Sequence, residues 1–200
     1  PSPDDGSVGT GLDMQDLCQR MLEKFSEDSH YGTLAASDGV LEDDMPVTRG
    51  YRHGSVRAIM EAHLNGLPWD QLGSDDPQVD CCVKIIPVCA AYAGDETMLE
   101  VVEDAIRLTQ DNDEAVSFGC GFARVLEACI LGSTPIEAID TVSQELRRPG
   151  RSCPQPDDRF VATQLQAVSE WSKLGSYDAA MAAYHKAHIA EGEISWRPIA

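Results

Sequence analysis

The sequence predicts an all-α fold, a compact domain of about eight helices with no significant sheet. Apolar residues recur from Leu12 onward at the three- and four-residue spacing of a helix, and no segment sustains the alternation of a half-buried strand. Helix boundary residues fall at the ends of these runs, with Asn112 and Thr134 before them and Gly66 with Pro68 after. An apolar content of 42% in 200 residues is enough for one core, and no shift in composition divides the chain. A single domain over residues 1–200 is therefore expected.

Met14, Leu17, Cys18, Met21, Leu22 and Phe25 mark the first stripe, with Gly11 and Asp13 at its start. Ser26 to Thr48, rich in Ser, Asp, Gly and Pro, reads as a long surface connection. A second helix is expected from Tyr51 to Asn65, with Val56, Ile59, Met60, His63 and Leu64 facing inward. The third spans Val79 to Ala93 as one helix kinked at Pro87, which cannot donate to the Val83 carbonyl.

Glu96 to Thr109 is the fourth helix, with Met98, Val102, Ala105, Ile106 and Thr109 inward. The turn Asp111-Asn112-Asp113 caps a fifth from Glu114 to Leu131, whose apolar character on nearly every face makes it the expected central helix. In it Gly119 and Ala123 leave room for a neighbouring helix to approach closely. Thr134 and Pro135 start a sixth, ending near Arg147. Arg148 to Asp158, with three prolines, is a loop, and helices follow at Phe160 to Trp171 and Tyr177 to Ile189. The Gly175 to Ala187 stretch resembles half of a tetratricopeptide unit, but no copy recurs at a period of about 34 residues.

Fifteen basic against 34 acidic residues give a net charge of −19, spread along the chain. Such a surface repels duplex nucleic acid and anionic membranes, so neither is an expected partner, and it favours solubility at high concentration. No apolar stretch has the length of a membrane span or a signal sequence. Of the seven cysteines, Cys18, Cys89, Cys120 and Cys129 lie in apolar helical patterns, which points to reduced, packed thiols and a cytoplasmic location. The chain starts with Pro1 rather than Met and reads as part of a longer protein.

No phosphate-binding Gly-Lys-Ser/Thr loop, Gly-x-Ser-x-Gly elbow or His-Glu-x-x-His pair is present. Cys81 and Cys82 lack the two-residue gap of a metal or redox pair, and Asp75, Asp76 and Asp80 oppose a thiolate there. His53, His185 and His188 sit on faces open to water, whereas His63 completes an apolar stripe. Asp43-Asp44 and Asp157-Asp158 are adjacent carboxylates directed to different sides of the backbone, read as surface charge or helix capping. No catalytic or metal-ligating residue is assigned.

The segment Gln78 to Gly132 carries a resemblance. The order Asp80-Cys-Cys-Val-Lys84-Ile-Ile-Pro87, then Thr109-Gln110, then a small-residue-rich helix after Asn112 is similar to the middle of the ADP-ribosylglycohydrolase family. Lys84-Ile-Ile-Pro-Val, Ala91-Tyr-Ala-Gly94, Thr109-Gln-Asp-Asn-Asp113 and Ala123-Arg-Val-Leu-Glu127 look most like its branch of J crystallins and selenoprotein J.

That family has an Asn-Gly, an Arg and a Pro where this chain has Asp80 to Pro87, and a Thr-His pair where it has Thr109-Gln110. Its hydrolases hold two magnesium ions between carboxylate clusters near their ends, because divalent ions need several converging oxygens to polarise the ribose and activate water. Neither cluster is found: Asp4-Asp5-Gly6-Ser7 runs into Val-Gly-Thr-Gly, and the chain stops after Trp196 before any second one. Loss of ends would leave the substrate-side residues intact, yet these are replaced. The resemblance thus implies a non-catalytic member with a structural, crystallin-like or ligand-binding role. If a cleft for ADP-ribose or a related nucleotide-sugar survives, Asp80, Lys84, Thr109 and Gln110 are its candidate residues. The alternatives are a magnesium-dependent hydrolase of ADP-ribose linkages whose metal-binding ends lie outside this chain, and a helical protein-interaction module.

Overall fold

The computed structural model describes residues 11–26 and 52–189, and the described residues form nine α-helices and one 3-10 turn, with no strand. The all-α expectation is met. No helix among them is long and apolar enough to cross a membrane. The chain divides into two compact units, Pro1–Ser74 and Asp75–Ala200. The connection read over Ser26 to Thr48, and with it Asp43-Asp44, lies almost wholly outside the described residues, as do Asp4-Asp5 and Trp196.

In the first unit, α1 (Met14–Phe25) starts at Asp13, whose carboxylate accepts the Asp16 amide at 2.9 Å. Its apolar stripe turns inward as expected, with Cys18 and Leu22 buried. Helix α2 (Gly54–Leu64) begins three residues after the expected Tyr51, which is itself not described, and buries Val56 and Ile59. The expected inner face ran on to His63 and Leu64. Both are exposed, Leu64 by 81%, because the helix ends at Asn65 and Gly66, whose φ of +82° turns the chain away. The Arg52 Nε donates to the Phe25 carbonyl at 2.9 Å, tying the entry of α2 to the end of α1.

In the second unit, the single kinked helix expected over Val79 to Ala93 is two helices, α3 (Asp80–Lys84) and α4 (Ile86–Tyr92), joined at Ile85. The break falls before Pro87, which takes a first-turn position of α4, where its missing N–H costs no hydrogen bond. Among the described residues, that split makes nine helices of the expected eight. Helices α5 (Met98–Arg107), α6 (Asp113–Ile130), α7 (Pro135–Glu145), α8 (Asp158–Ser172) and α9 (Tyr177–Ile189) follow within two residues of most expected ends. Met98, Val102, Ala105, Ile106 and Thr109 are all buried, as their spacing required.

Helix α6 is central and packs against α3, α4, α5, α7 and α8. It can do so because its small residues let neighbours close in. A Cβ added at Gly119 would overlap Ile106 Cδ1 of α5, and one added at Gly121 would stand 2.6 Å from Val161 Cγ1 of α8. On the α7–α8 side the core is Phe118, Val142, Leu146, Val161, Ala162 and Leu165. Phe160 meets Phe118 edge-on, with ring centres 5.9 Å apart. Thr134 and Glu137 form a reciprocal capping box at the start of α7. Helix α9 rests on α8, with Tyr184 against the Trp171 ring.

Candidate functional site

The four residues singled out by the sequence meet around one atom. The Lys84 Nζ, at the end of α3, lies 2.7 Å from Asp80 Oδ2 one turn earlier. It also lies 3.1 Å from Thr109 Oγ1 and 3.1 Å from Gln110 Oε1, just past the end of α5. Three acceptors thus face an ammonium that has three protons to donate. The i, i+4 spacing aligns the carboxylate and the ammonium on one face of α3, and the Thr109-Gln110 turn brings the two neutral oxygens to that face.

Burial decides what this cluster can do. Thr109 and Gln110 are 1% and 0% exposed, and the side chains of Asp80 and Lys84 are 9% and 23% exposed. Gln110 is used at both ends: its oxygen accepts from Lys84, and its Nε2 donates to the Asp76 carbonyl at 3.1 Å and the Gln78 carbonyl at 2.6 Å. Thr109 donates to the Ile106 carbonyl at 3.4 Å while accepting from Lys84. Asn112 adds a bond of 2.6 Å to Asp75 while capping α6 through Ala115. The segment leading into α3 is thereby fastened to the turn between α5 and α6.

Chemically, the ammonium donates to a carboxylate oxygen and two neutral oxygens of this chain, so these contacts hold the fold rather than face a ligand. A divalent cation at Asp80 would have to displace that ammonium and would find no second carboxylate in the cluster. Among the described residues, no group of three or more His, Cys, Asp or Glu is arranged to hold a metal ion.

The thiols beside the cluster are packed. All seven cysteines are free, and Cys81, Cys82, Cys89 and Cys120 are buried. Cys81 donates to the Ala115 carbonyl at 3.4 Å. The interaction with Cys81, followed by burial, pushes the Cys82 thiol up. Burial, reinforced by Glu127, lifts Cys89 to about 11, and burial with Glu103 lifts Cys120 to about 12. These shifts disfavour the nucleophilic thiolate at Cys82, Cys89 and Cys120.

Sequence reasoning missed a second polar network. The reading of Asp158 as surface charge or a simple cap is corrected: it is 2% exposed, pairs with Arg151 and accepts the Gln155 amide at 2.7 Å. Arg124, 6% exposed in the middle of α6, reaches Glu145 of α7 and the Ser152 carbonyl, both at 2.6 Å. Gln155 donates to Glu103 of α5 at 2.7 Å, and the Asp157 amide donates to Ser117 at 3.3 Å. The proline-rich loop between α7 and α8 is thus pinned to α5 and α6. A lone Arg inside the apolar stretch of α6 was the signal, since a buried cation must have partners. Cys153 in this loop has φ +43°.

Over 88 residues the chain is 32% identical to Crystallin J1A of Tripedalia cystophora, a match that covers 44% of this chain. The same match covers 24% of that protein, so the chain spans about a quarter of the relative's length. No family model and no solved structure matches the chain. Similarity to Crystallin J1A is in keeping with the J crystallin branch to which the sequence pattern pointed.

Proposed function

We propose that the chain is an ADP-ribosylglycohydrolase-like helical protein that is non-catalytic and serves a structural, crystallin-like role. The observation that carries this reading is the inward use of the four candidate residues. Lys84, Thr109 and Gln110 spend their hydrogen-bonding groups on one another, on Asp80 Oδ2 and on the backbone at Asp76, Gln78 and Ile106. A binding cleft instead presents a few polar groups to its ligand. The similarity to Crystallin J1A supports the same reading, and a net charge of −19 suits a protein kept soluble at high concentration.

The test is thermal unfolding of the purified chain with and without millimolar ADP-ribose and magnesium. A ligand present at 100 times its dissociation constant adds about 2.7 kcal/mol. The expected result is one cooperative transition that neither addition moves. A rise that requires magnesium refutes the proposal in favour of a hydrolase, and a rise with ADP-ribose alone refutes it in favour of a binding protein.

A further inference from the structure

Helices α6, α7 and α8 enclose a pocket of about 180 Å³ in the second unit. Its walls are Phe118, Phe122 and Val125 of α6, Ile139 of α7, and Val161, Leu165 and Val168 of α8, with Gln164 as the single polar side chain. Phe118, Val161 and Leu165 form the buried floor, whereas Phe122, Val125, Ile139, Gln164 and Val168 are half-buried and form the mouth. The spacing explains the shape: positions 118, 122 and 125, and positions 161, 164, 165 and 168, each form one stripe of a helix. With Gly121 beneath Val161, α6 and α8 touch on the floor side, and their larger side chains leave the gap above it.

We infer that this pocket is a binding site for a small, neutral, largely apolar molecule the size of one aromatic ring, bearing one hydrogen-bonding group that meets Gln164. Three observations select that ligand. The volume slightly exceeds the ~150 Å³ of an apolar cavity that takes up benzene. No charged side chain lines the walls to pair with a carboxylate, and the chain's −19 charge disfavours an anion, so a neutral molecule is selected. Among the described residues, the Gln164 carboxamide has no hydrogen-bond partner, whereas the nearby Gln166 pairs with Arg147 and Glu170. The site shares no residue with the Lys84 cluster, so it stands or falls separately from the structural role proposed above.

Toluene, p-cresol and benzoate are the probes, with titration calorimetry on the whole chain and sedimentation velocity on the same samples. p-Cresol is expected to bind about 2- to 13-fold more tightly than toluene, as one hydrogen bond of about 0.5–1.5 kcal/mol provides. Benzoate is expected not to bind. Gln164→Leu removes the preference for p-cresol over toluene and does not weaken toluene. Val168→Trp fills the mouth and abolishes both without lowering the unfolding midpoint, and Val125→Phe serves the same purpose should the first variant fail to fold. The inference is overturned if neither neutral probe binds at millimolar concentration, or if binding survives the filling variant that folds. A self-associated chain that Val168→Trp dissociates also overturns it, making the pocket an interface between copies.

Discussion

Replacing Lys84 by Met removes the ammonium while keeping most of the side-chain volume. It leaves the Asp80 carboxylate, 9% exposed, and the Thr109 and Gln110 oxygens without the ammonium that they share. Breaking a fully buried pair in this way costs about 3–5 kcal/mol. The 23% exposure of Lys84 lets water reach the carboxylate, which lowers the expected cost to about 2–3 kcal/mol. For a chain of this size each kcal/mol moves the midpoint by about 2–4 °C, so a fall of about 4–12 °C is expected in a calorimetric melt.

The assay is a double-mutant cycle with Asp80→Leu. Replacing both charges by apolar groups removes the stranded carboxylate, so the double variant is expected to be more stable than Lys84→Met alone, with a coupling of at least about 1 kcal/mol. A Lys84→Met protein within about 0.5 kcal/mol of the parent, or strictly additive single variants, would show that the cluster holds nothing together.

Gly119→Ala is expected to cost about 1–3 kcal/mol in urea unfolding through overlap with Ile106, and Ile106→Val in that background recovers part of the loss by removing Cδ1. Thr134→Ala is expected to lower the unfolding midpoint at neutral pH. Because the Thr134 hydroxyl and amide hold Glu137 below its ordinary 4.5, that contribution is present above 4.5 and lost as the pH falls through the lowered value, so parent and variant converge in acid. Cys89 and Cys120 are raised from 9.0 to about 11 and about 12. Between those values the unfolded chain binds fewer protons, so stability is expected to fall as the pH rises above 9.0, less steeply in Cys120→Ala. At pH 8 the half-buried Cys129 and Cys153 are expected to react with a disulfide reagent before Cys89 and Cys120, timed by absorbance.

Helix existence was legible in the sequence because each helix carries its own stripe and boundary residues, as Asn112 and Thr134 do. The end of a helix's buried face was not. Met60, His63 and Leu64 continue the periodic pattern of α2, but burial of the last turn depends on what lies opposite, which no local spacing encodes. The division at Ile85 was half legible, since Pro87 announced a disturbance but not that it would sit in the first turn of a new helix. Asp80, Lys84, Thr109 and Gln110 were found together because their positions matched a family pattern. That they turn inward follows from the reach of Lys84 and Gln110, whose long polar side chains meet one another. Arg124 signals that partners exist but not which they are, and Glu103 and Gln155, 52 residues apart, leave no local trace.

The pinned loop between α7 and α8 bears on how this chain can vary in length. Connections between helices ordinarily absorb insertions and deletions at small cost. Here the Ser152 carbonyl and the amides of Gln155 and Asp157 each have an assigned partner on the protein, as do the side chains of Arg151 and Gln155. One added residue would slide these groups past their partners and strand Arg124 in the core. Length changes are instead expected to gather at the turns around Gly132 and Gly175, where a Cβ meets only open space.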